Sequence, residues 1–348
     1  MKSYQIRNYG EPLIEKNFPT PVPDGKEVLV KVGGCGVCHS DVHILKGYFD
    51  LGGGRKADLS RSHKLPITLG HEIAGTVAAV GPYANIPVEE KVVVYPWIGC
   101  GGCDICKSGE ENLCSQPQNL GIHRNGGYAT HVIVPDARYL FPIGDLSMNI
   151  AATYACSGIT AFGALKKVQA KAEGRNLLII GAGGVGLAAL MIAQAIMDTT
   201  IIVADIDPLK RKASLAAGAD HAVDPTDEQA RKLVYKLSGG GIQAAVDFVG
   251  SNKTVKFGFG ALGTAGHLAI VGLFGGAAEL SIPMFPLKSL NVMGSYVGTP
   301  SQFAELMELV STGKIASLPV ASRPLSEAQS ALDDLAAGRV LGRVVLNP

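Results

Sequence analysis

The sequence predicts an α/β fold in which a β-rich domain is interrupted by an inserted domain with a doubly wound parallel sheet. Up to about residue 150, short segments rich in β-branched residues alternate with Gly, Pro and Asp, among them EVLVKV, KVVVY and THVIV. From about residue 156, buried apolar strands alternate with helical patterns, which is typical of a parallel sheet. From about residue 296, two helical patterns and a final strand, GRVVLNP, follow. We therefore expect three stretches, 1–155, 156–295 and 296–348, of which the last returns to the first domain.

The composition argues against several classes of protein. The 348 residues are 47% hydrophobic and 18% charged, and the net charge is +1. A chain this close to neutral carries no basic footprint for nucleic acid or for an anionic membrane. The N-terminal MKSYQIRNYGEPLIEKN lacks the apolar core of a signal peptide, and no apolar stretch is long enough for a membrane span. We expect a cytoplasmic protein whose clustered thiols bind metal, since that compartment is reducing.

Four of the seven cysteines lie together in a lobe of the first domain, over about residues 95–115. Cys100, Cys103, Cys106 and Cys114 follow the pattern C-x2-C-x2-C-x7-C. Such spacing brings four thiolates around one tetrahedral zinc, and four protein ligands with no open position indicate a structural ion. A nucleic-acid-binding zinc ribbon is disfavoured because the loop carries one lysine against three acidic residues. A C-x-x-C redox couple would leave two of the thiols unexplained.

The remaining cysteines, with one histidine, suggest a second metal site. Cys38 lies in GVCHSDVH, His71 in LGHEIAG, and Cys156 begins CSGITAFG. A catalytic zinc takes about three protein ligands, often mixed cysteine and histidine, and keeps one position exchangeable. For each residue alone the alternative is a buried core cysteine or a hydrogen-bonded core histidine. We interpret the remaining cysteine, Cys35, as a buried core cysteine.

A glycine-rich turn in the inserted domain predicts a dinucleotide site. The motif GAGGVG follows a predicted strand over 176–180 and opens an apolar helix. Its proposed cofactor-binding residues are Gly181, Gly183, Gly184, Val185 and Gly186. The glycines permit a tight turn, close approach of a pyrophosphate and close packing of helix on strand, while the helix N-terminus offers unpaired N–H groups. The alternative is a glycine turn with a structural role only.

The choice between NAD and NADP depends on an aspartate. Asp205 closes the next predicted strand, where a carboxylate would accept hydrogen bonds from an adenosine ribose. With Asp207 beside it, this carboxylate would repel a 2′-phosphate, so the sequence favours NAD. Lys210 and Arg211 weaken the preference because either could bind such a phosphate. An ordinary solvent-facing aspartate is the remaining alternative.

Six motifs, taken in order, resemble the zinc-dependent medium-chain alcohol dehydrogenase family. They are GVCHSDVH, LGHEIAGTV, the four-cysteine lobe, CSGITAFGAL, GAGGVG and the terminal GRVVL, and they span almost the whole chain. Within the family the chain is most similar to tetrameric prokaryotic and archaeal NAD-dependent enzymes that act on primary and secondary alcohols. The resemblance implies a GroES-like catalytic domain split by an inserted Rossmann domain, an active site in the cleft between them, and a homotetramer or homodimer.

The resemblance also implies roles for residues at the second metal site. Cys38, His71 and Cys156 correspond to the ligands of a catalytic zinc, and Glu72 to an alternate or transient ligand. Together with the four-cysteine lobe, this implies two zinc ions per chain.

Four further roles follow from the same resemblance. Ser40 matches the hydroxyl that hydrogen-bonds the substrate oxygen, and His43 the outer end of a proton relay. Asp41 matches the carboxylate that orients the zinc-bound imidazole, with Arg343 as its expected partner. We also count Arg343 among the cofactor-binding residues.

Two more positions are expected to contact the cofactor, and one segment departs from the family pattern. Thr160 matches a residue near the nicotinamide. His39 stands where many members have an arginine that touches the pyrophosphate. The segment 49–64 is longer than in horse-liver-type enzymes and either covers the substrate cleft or forms a plain surface loop.

The implied reaction interconverts alcohols and carbonyl compounds by hydride transfer to and from NAD. Zinc acts as a Lewis acid that lowers the pKa of a bound alcohol. The proton leaves through Ser40, the cofactor ribose and His43 to water, and hydride passes to the nicotinamide. Trp97 and Tyr296 either shape the pocket or are ordinary core aromatics.

Three alternatives stay open at this point. A zinc-free quinone or enoyl reductase of the same superfamily would lack the metal ligands. A nonenzymatic metal- and nucleotide-binding protein would need no relay. Within the dehydrogenases, a polyol, threonine or an aromatic alcohol is an alternative substrate, because fold and metal do not set the substrate.

Overall fold

The first part of the chain consists mainly of β-sheet and contains three short α-helices. The computed structural model describes residues 1–348. The strands are β1 (Lys2–Ile6), β2 (Ile14–Asn17), β3 (Val28–Gly36), β4 (Tyr48–Gly52), β5 (Arg55–Asp58), β6 (Ile67–Thr68), β7 (Glu72–Val80), β8 (Lys91–Val94), β9 (His131–Val134) and β10 (Leu140–Pro142). The helices are α1 (His39–Lys46), α2 (Asp104–Lys107) and α3 (Met148–Thr153).

Strand β3 is at the centre of the larger sheet of this part. It pairs antiparallel with β7 and with β9, so that Val30 lies opposite Val77 and Val132. Val28 and Val30 are completely buried, whereas Lys31 points to solvent. β-Branched side chains suit such a strand because they pack well on a pleated, half-buried surface.

Local sequence determines both ends of helix α1. Cys38 is the N-cap residue, and its backbone N–H donates to Oδ2 of Asp41 at 3.0 Å. The helix ends at Gly47, whose φ of 81° is the left-handed conformation that glycine adopts without strain. The cap holds the Cys38 side chain at the start of the helix, with Asp41 one turn away.

The second part of the chain is a six-stranded parallel sheet covered by helices. Its elements are α4 (Ile159–Ala172), β11 (Arg175–Ile180), α5 (Gly184–Ile196), β12 (Thr199–Ala204), α6 (Pro208–Ala216), β13 (His221–Val223), α7 (Ala230–Leu237), β14 (Ile242–Asp247), α8 (Asn252–Ala261), β15 (Leu262–Ile270), α9 (Met284–Lys288) and β16 (Asn291–Gly294). The spatial order of the strands is β13-β12-β11-β14-β15-β16, and every pair is parallel. The crevice of such a sheet lies where the strand order reverses, here between β11 and β14.

The end of the chain returns to the first sheet. Its elements are α10 (Pro300–Ser311), β17 (Val320–Pro324), α11 (Ala328–Ala336) and β18 (Arg343–Asn347). Strand β18 pairs antiparallel with β3, with Leu346 opposite Cys35, and parallel with β17. The parallel-sheet part is therefore inserted between two segments that share one sheet, as the predicted fold class requires.

The hydrophobic core is continuous between the two parts. One large cluster extends from the sheet around β3, through the helices α4 and α5, to one face of the parallel sheet. A smaller cluster fills the other face, beneath α7 and α8, with Val234 and Phe257 among its members. No helix combines the length and the apolar character needed to cross a bilayer.

The segment 49–64 contains a β-hairpin that reaches the parallel-sheet part. Strands β4 and β5 pair antiparallel, and the backbone N–H of Gly276 donates to the carbonyl of Asp50 at 3.2 Å. Side chains on Gly52 or Gly275 would collide with the opposite backbone, so glycine permits this close approach. Most residues of the segment are exposed, so this contact is compatible with both interpretations left open by the sequence.

Candidate active site

Three distant segments bring four potential metal ligands together. Cys38 caps α1, His71 directly precedes β7 and Glu72 begins it, and Cys156 lies in a π-helical turn, Tyr154–Gly158. All four are buried, and their ligand atoms lie within 4.8 Å of one another. The two sulfur atoms are 3.9 Å apart, too far for a disulfide. The expected ligand set of Cys38, His71, Cys156 and the alternate Glu72 is thus assembled in space.

The chemistry of this cluster fits a zinc ion. Nε2 of His71 and Oε2 of Glu72 are buried without a hydrogen-bond partner, and such atoms are costly unless something else satisfies them. A hydrogen bond from Cys156 holds the pKa of the Cys38 thiol well below its ordinary value. The nearby His71 also lowers this pKa, whereas burial raises it. Two sulfurs and an imidazole are ligands that zinc prefers, and the carboxylate is a further one.

Asp41 lies beside the imidazole. Its Oδ1 is 3.2 Å from Nδ1 of His71, and both side chains are completely buried. The carboxylate therefore faces one ring nitrogen and leaves Nε2 directed to the cluster. Burial favours a neutral imidazole, but the negative charges of Asp41 and Cys38 outweigh it and raise the pKa of His71.

The expected pairing of Arg343 with Asp41 is wrong, because Arg343 pairs with Glu72 instead. Nη2 of Arg343 donates to Oε1 of Glu72 in a buried ion pair. The reason is the strand register: Arg343 begins β18, which lies beside β3, and Gly36 of β3 is opposite Glu72. A side chain at Gly36 would collide with the Glu72 carboxylate, so glycine opens the space that this ion pair fills.

Arg343 also touches the dinucleotide turn. A Cβ on Gly184, the first residue of α5, would collide with Cδ of Arg343. One buried guanidinium thus lies between Glu72 of the four-ligand cluster and the N-terminus of α5. This placement joins the two predicted sites.

The expected relay residues share helix α1. Ser40 and His43 are three residues apart on this helix, and residues so spaced lie on one face. Ser40 is two residues from Cys38, whereas His43 lies farther along, with its ring 5.0 Å from that of Phe49 on β4. Burial lowers the pKa of His43, which favours its neutral imidazole. His39, by contrast, is exposed at the start of the helix.

The glycine turn has the conformation that a dinucleotide site needs. Gly181 directly follows β11 with a φ of 91°, and Gly183 is the N-cap residue of α5. A side chain at Gly186 would collide with the carbonyl of Gly181. Val185 lies between them in the first turn of the helix. The N–H groups at the start of α5 consequently point out of the carboxyl edge of the sheet.

Asp205 is tied into the glycine turn more closely than expected. Its Oδ2 accepts the backbone N–H of Ala182 at 2.7 Å, and its Oδ1 accepts that of Asp207 at 2.9 Å. Each oxygen keeps a second lone pair for a ribose hydroxyl. The alternative of an ordinary solvent-facing aspartate is wrong, because Asp205 is only 9% exposed.

The two basic residues after Asp205 differ in their freedom. Nη1 of Arg211 donates to the carbonyls of Asp205 and Ile206 at 2.7 and 2.9 Å and pairs with Asp224 at 3.1 Å. The guanidinium of Arg211 is therefore already hydrogen-bonded to the turn that follows β12. Lys210 is half-buried beside it and is the better placed of the two to meet a phosphate.

Aromatic side chains flank the four-ligand cluster. The ring of Trp97 is 5.3 Å from that of His71 and 5.7 Å from that of Tyr296. Nε1 of Trp97 donates to the carbonyl of Ala155 at 2.9 Å, which fixes the indole beside the π-helical turn. Thr160 follows this turn at the start of α4, with its hydroxyl 3.9 Å from the Cys156 sulfur.

The four-cysteine lobe forms a second cluster with no carboxylate in it. Cys100, Cys103, Cys106 and Cys114 place their sulfurs within 4.8 Å of one another, and all four thiols are free. Backbone N–H groups lower the pKa of Cys100 to about 6. Four thiols at this spacing fit a tetrahedral zinc with no open position.

Two residues near the cluster were missed by the sequence reasoning. Oγ of Ser157 donates to Oε1 of Glu72 at 3.1 Å, and the hydroxyl of Tyr128 donates to Oδ2 of Asp41 at 3.0 Å. The position of Ser157 directly after the predicted ligand Cys156 could have indicated that it lies near the cluster. Nothing in the local sequence of Tyr128 marks it.

Comparisons with known proteins agree with this architecture. The family model described as alcohol dehydrogenase GroES-like domain matches residues 24–145, and that described as zinc-binding dehydrogenase matches residues 184–312. An NAD-dependent alcohol dehydrogenase of Sulfurisphaera tokodaii is 36% identical over 351 residues, covering 100% of both chains. A D-arabinose 1-dehydrogenase (NADP(+)) of Saccharolobus solfataricus is 30% identical and covers 100% of this chain and 97% of that protein.

A solved structure confirms the fold over its full length. The alcohol dehydrogenase of Aeropyrum pernix matches with a TM-score of 0.90 and 31% identity, covering 100% of both chains. The fold class predicted from the sequence, a GroES-like domain split by an inserted Rossmann domain, is therefore confirmed. The matched families, relatives and structure show that the chain belongs to the zinc-dependent medium-chain alcohol dehydrogenase family.

Proposed function

We propose that the protein interconverts primary or secondary alcohols and the corresponding aldehydes or ketones, with NAD as hydride acceptor or donor. The observation that carries this proposal is the position of Arg343, which links the four-ligand cluster to the first turn of α5. A metal-bound substrate and a cofactor on that helix would consequently be close together. The relatives named as NAD-dependent alcohol dehydrogenases support the same activity.

The residues of the chain divide the work of the reaction. When bound, zinc acts as a Lewis acid on the alcohol oxygen and NAD accepts the hydride. Cys38, His71 and Cys156 would hold the metal. Ser40 accepts the proton of the substrate hydroxyl, and His43, whose neutral form is favoured because burial lowers its pKa, passes it towards solvent.

The substrate class is tested with a panel of alcohols. Purified protein is incubated with NAD and short primary, secondary, aromatic and polyhydroxylated alcohols, and NADH formation is followed. We expect the highest kcat/KM for simple primary or secondary alcohols, since Trp97 and Tyr296 present apolar surface beside the cluster. The similarity to a D-arabinose dehydrogenase favours one alternative, a sugar or polyol substrate, and a preference of that kind would replace our assignment.

We propose that NAD is the working cofactor and that Asp205 sets this preference. The Asp205→Gly variant should lose part of its kcat/KM with NAD and should discriminate less against NADP, because it removes both the ribose acceptor and the repulsion of a 2′-phosphate. The ratio of kcat/KM for the two cofactors measures this. Lys210→Ala in the same background is the control and should weaken NADP alone. A wild-type protein that prefers NADP would contradict the proposal.

We propose two zinc ions per chain, one in each cluster. Cys103→Ser should bind one zinc ion and unfold at lower denaturant, because a structural zinc contributes directly to folding. Metal analysis of chelator-free protein gives the count. Cys35→Ser is the matched control, since Cys35 is buried outside both clusters and its replacement should leave the count at two. Wild-type protein with one zinc or none would overturn the assignment.

We further propose that the protein assembles as a homotetramer or homodimer. Strand β16 is the edge of the parallel sheet. Near it, two large apolar side chains are exposed, Ile282 at 79% and Leu287 at 78%. An unpaired edge and exposed apolar side chains suit a contact with a second copy. Light scattering of the purified protein measures the mass, and a monomer would contradict this proposal.

Two assignments complete the proposed description. We propose residues 1–155 and 296–348 as the catalytic domain and 156–295 as the NAD-binding domain, supported by the sheets to which β11, β16 and β18 belong. We propose a cytoplasmic location, supported by seven cysteines that are all free.

A further inference from the structure

Tyr128 makes a buried hydrogen bond that the reaction described above does not use. Its side chain is completely buried, and its hydroxyl donates to Oδ2 of Asp41 at 3.0 Å. Asp41 is completely buried as well. A hydroxyl that reaches a buried carboxylate is a strong, directional contact because the acceptor is charged.

Backbone pairing ties Tyr128 to the segment that carries His71. The N–H of Tyr128 donates to the carbonyl of Leu69 at 2.9 Å, and the N–H of Gly127 donates to that of Gly70 at 2.8 Å. A side chain at Gly70 would collide with the tyrosine ring. The ring is thus packed directly on the residue that precedes His71, and its hydroxyl has little freedom to move.

The hydrogen bonds of Asp41 show what this hydroxyl does. Oδ1 faces Nδ1 of His71 at 3.2 Å, while Oδ2 accepts from the N–H of Cys38 and from Tyr128, both at 3.0 Å. The Cys38 bond is a cap within helix α1. Tyr128 is the donor to Asp41 that comes from another segment, and it fixes the rotation of the carboxylate relative to His71.

We propose that Tyr128 is a positioning residue for the four-ligand metal cluster, acting through Asp41 on the orientation of His71. This rests on the proposed function, since it assumes that the cluster binds zinc. Without the hydroxyl, the carboxylate rotates more freely and its charge is less well satisfied, so His71 is held less firmly as a ligand. Loss of the direct partner of a ligating histidine, here Asp41, typically weakens metal binding about 10–100-fold, and Tyr128 acts through that partner.

The test compares two tyrosine-to-phenylalanine variants by zinc release. Tyr128→Phe removes the hydroxyl and keeps the ring. Tyr95→Phe is the matched control, because Tyr95 is equally buried and its hydroxyl donates to the carbonyl of Gly298 at 2.7 Å, away from the metal ligands. Both are placed in the Cys103→Ser background, so that the released zinc comes from the four-ligand cluster. Release is measured in excess chromogenic chelator.

We expect Tyr128→Phe to release this zinc faster, by at most the factor of about 10–100 that loss of a direct partner of a ligand causes, and Tyr95→Phe to match the parent. The cobalt-substituted protein should show a changed visible spectrum for Tyr128→Phe alone. Adding Tyr128→Phe to Asp41→Asn should change the release rate little, because a residue acting through Asp41 has no further effect once that carboxylate is lost.

Three results would overturn the inference. Equal release rates in the two tyrosine variants would make the hydroxyl of Tyr128 a packing feature only. Slower release from Tyr128→Phe would mean that the hydroxyl weakens His71 as a ligand. An undiminished effect in the Asp41→Asn background would exclude Asp41 as the intermediary. If the parent itself holds no zinc in this cluster, the proposed function fails first and the inference with it, an outcome distinct from the other three.

Discussion

Ser40→Ala is expected to lose alcohol oxidation by about 10²–10⁴-fold or more in kcat/KM, the range typical of a general acid–base group. The hydroxyl of Ser40 both accepts the substrate proton and donates it onward, and a methyl group does neither. Its place in the first turn of α1, two residues after Cys38, puts it at the cluster end of the helix. Steady-state kinetics of the variant, with zinc content and NADH affinity measured in parallel, checks this.

His43→Ala is the internal comparison for Ser40→Ala. His43 lies one turn farther along α1 and is partly accessible, so water can replace it in part. Its defect should be smaller, greatest at low pH where proton release is hardest, and partly rescued by small general bases in the buffer. If Ser40→Ala keeps full zinc, binds NADH and still oxidises alcohols at nearly the wild-type rate, the relay assignment is wrong.

Arg343→Met should destabilise the protein by about 3–5 kcal/mol, because it leaves the buried carboxylate of Glu72 without its counter-ion. The side chains of Arg343 and Glu72 are 5% and 0% exposed, so solvent does not replace the lost partner. The free energy of unfolding of zinc-loaded protein, from denaturant titration, measures the loss. NADH affinity should also fall, since Arg343 lies against the first turn of α5.

A double-mutant cycle separates the ion pair from other roles of Arg343. Glu72→Gln removes the unpaired charge, so the double variant Glu72→Gln/Arg343→Met should be less destabilised than the sum of the single variants. Additive effects would show that the two residues stabilise the protein independently. The ion pair would then not be the reason why Arg343 stabilises it.

The two metal clusters were predicted in different ways, and the difference is physical. The four cysteines of the lobe lie within fifteen residues, Cys100 to Cys114, so their spacing alone predicts a common site. Cys38 and Cys156 are separated by 118 residues, and their sulfurs come together only because β7, α1 and the π-helical turn pack in one core. No local pattern links them: their residue types suggested a second metal site, and the family resemblance assigned them as its ligands.

The contacts that the sequence predicted wrongly or did not predict depend on strand register. The partner of Arg343 follows from the way β18 lies on β3 and β3 on β7, and no local rule predicts that register. The bond from Tyr128 to Asp41 has the same origin, since it depends on backbone pairing with the segment before His71. The glycine turn, in contrast, was predicted correctly in place and conformation because its requirements are local.

The most direct measurement of the central claim is the rate of alcohol-dependent NADH formation by the wild-type protein and by Cys38→Ser. We propose that the cluster of Cys38, His71, Glu72 and Cys156 holds the zinc on which alcohol oxidation depends. Wild-type protein with its full zinc should form NADH and the carbonyl product in equal amounts, and Cys38→Ser, with the lobe zinc retained, should form almost none. NADH formation by a folded Cys38→Ser protein at the wild-type rate would contradict the account.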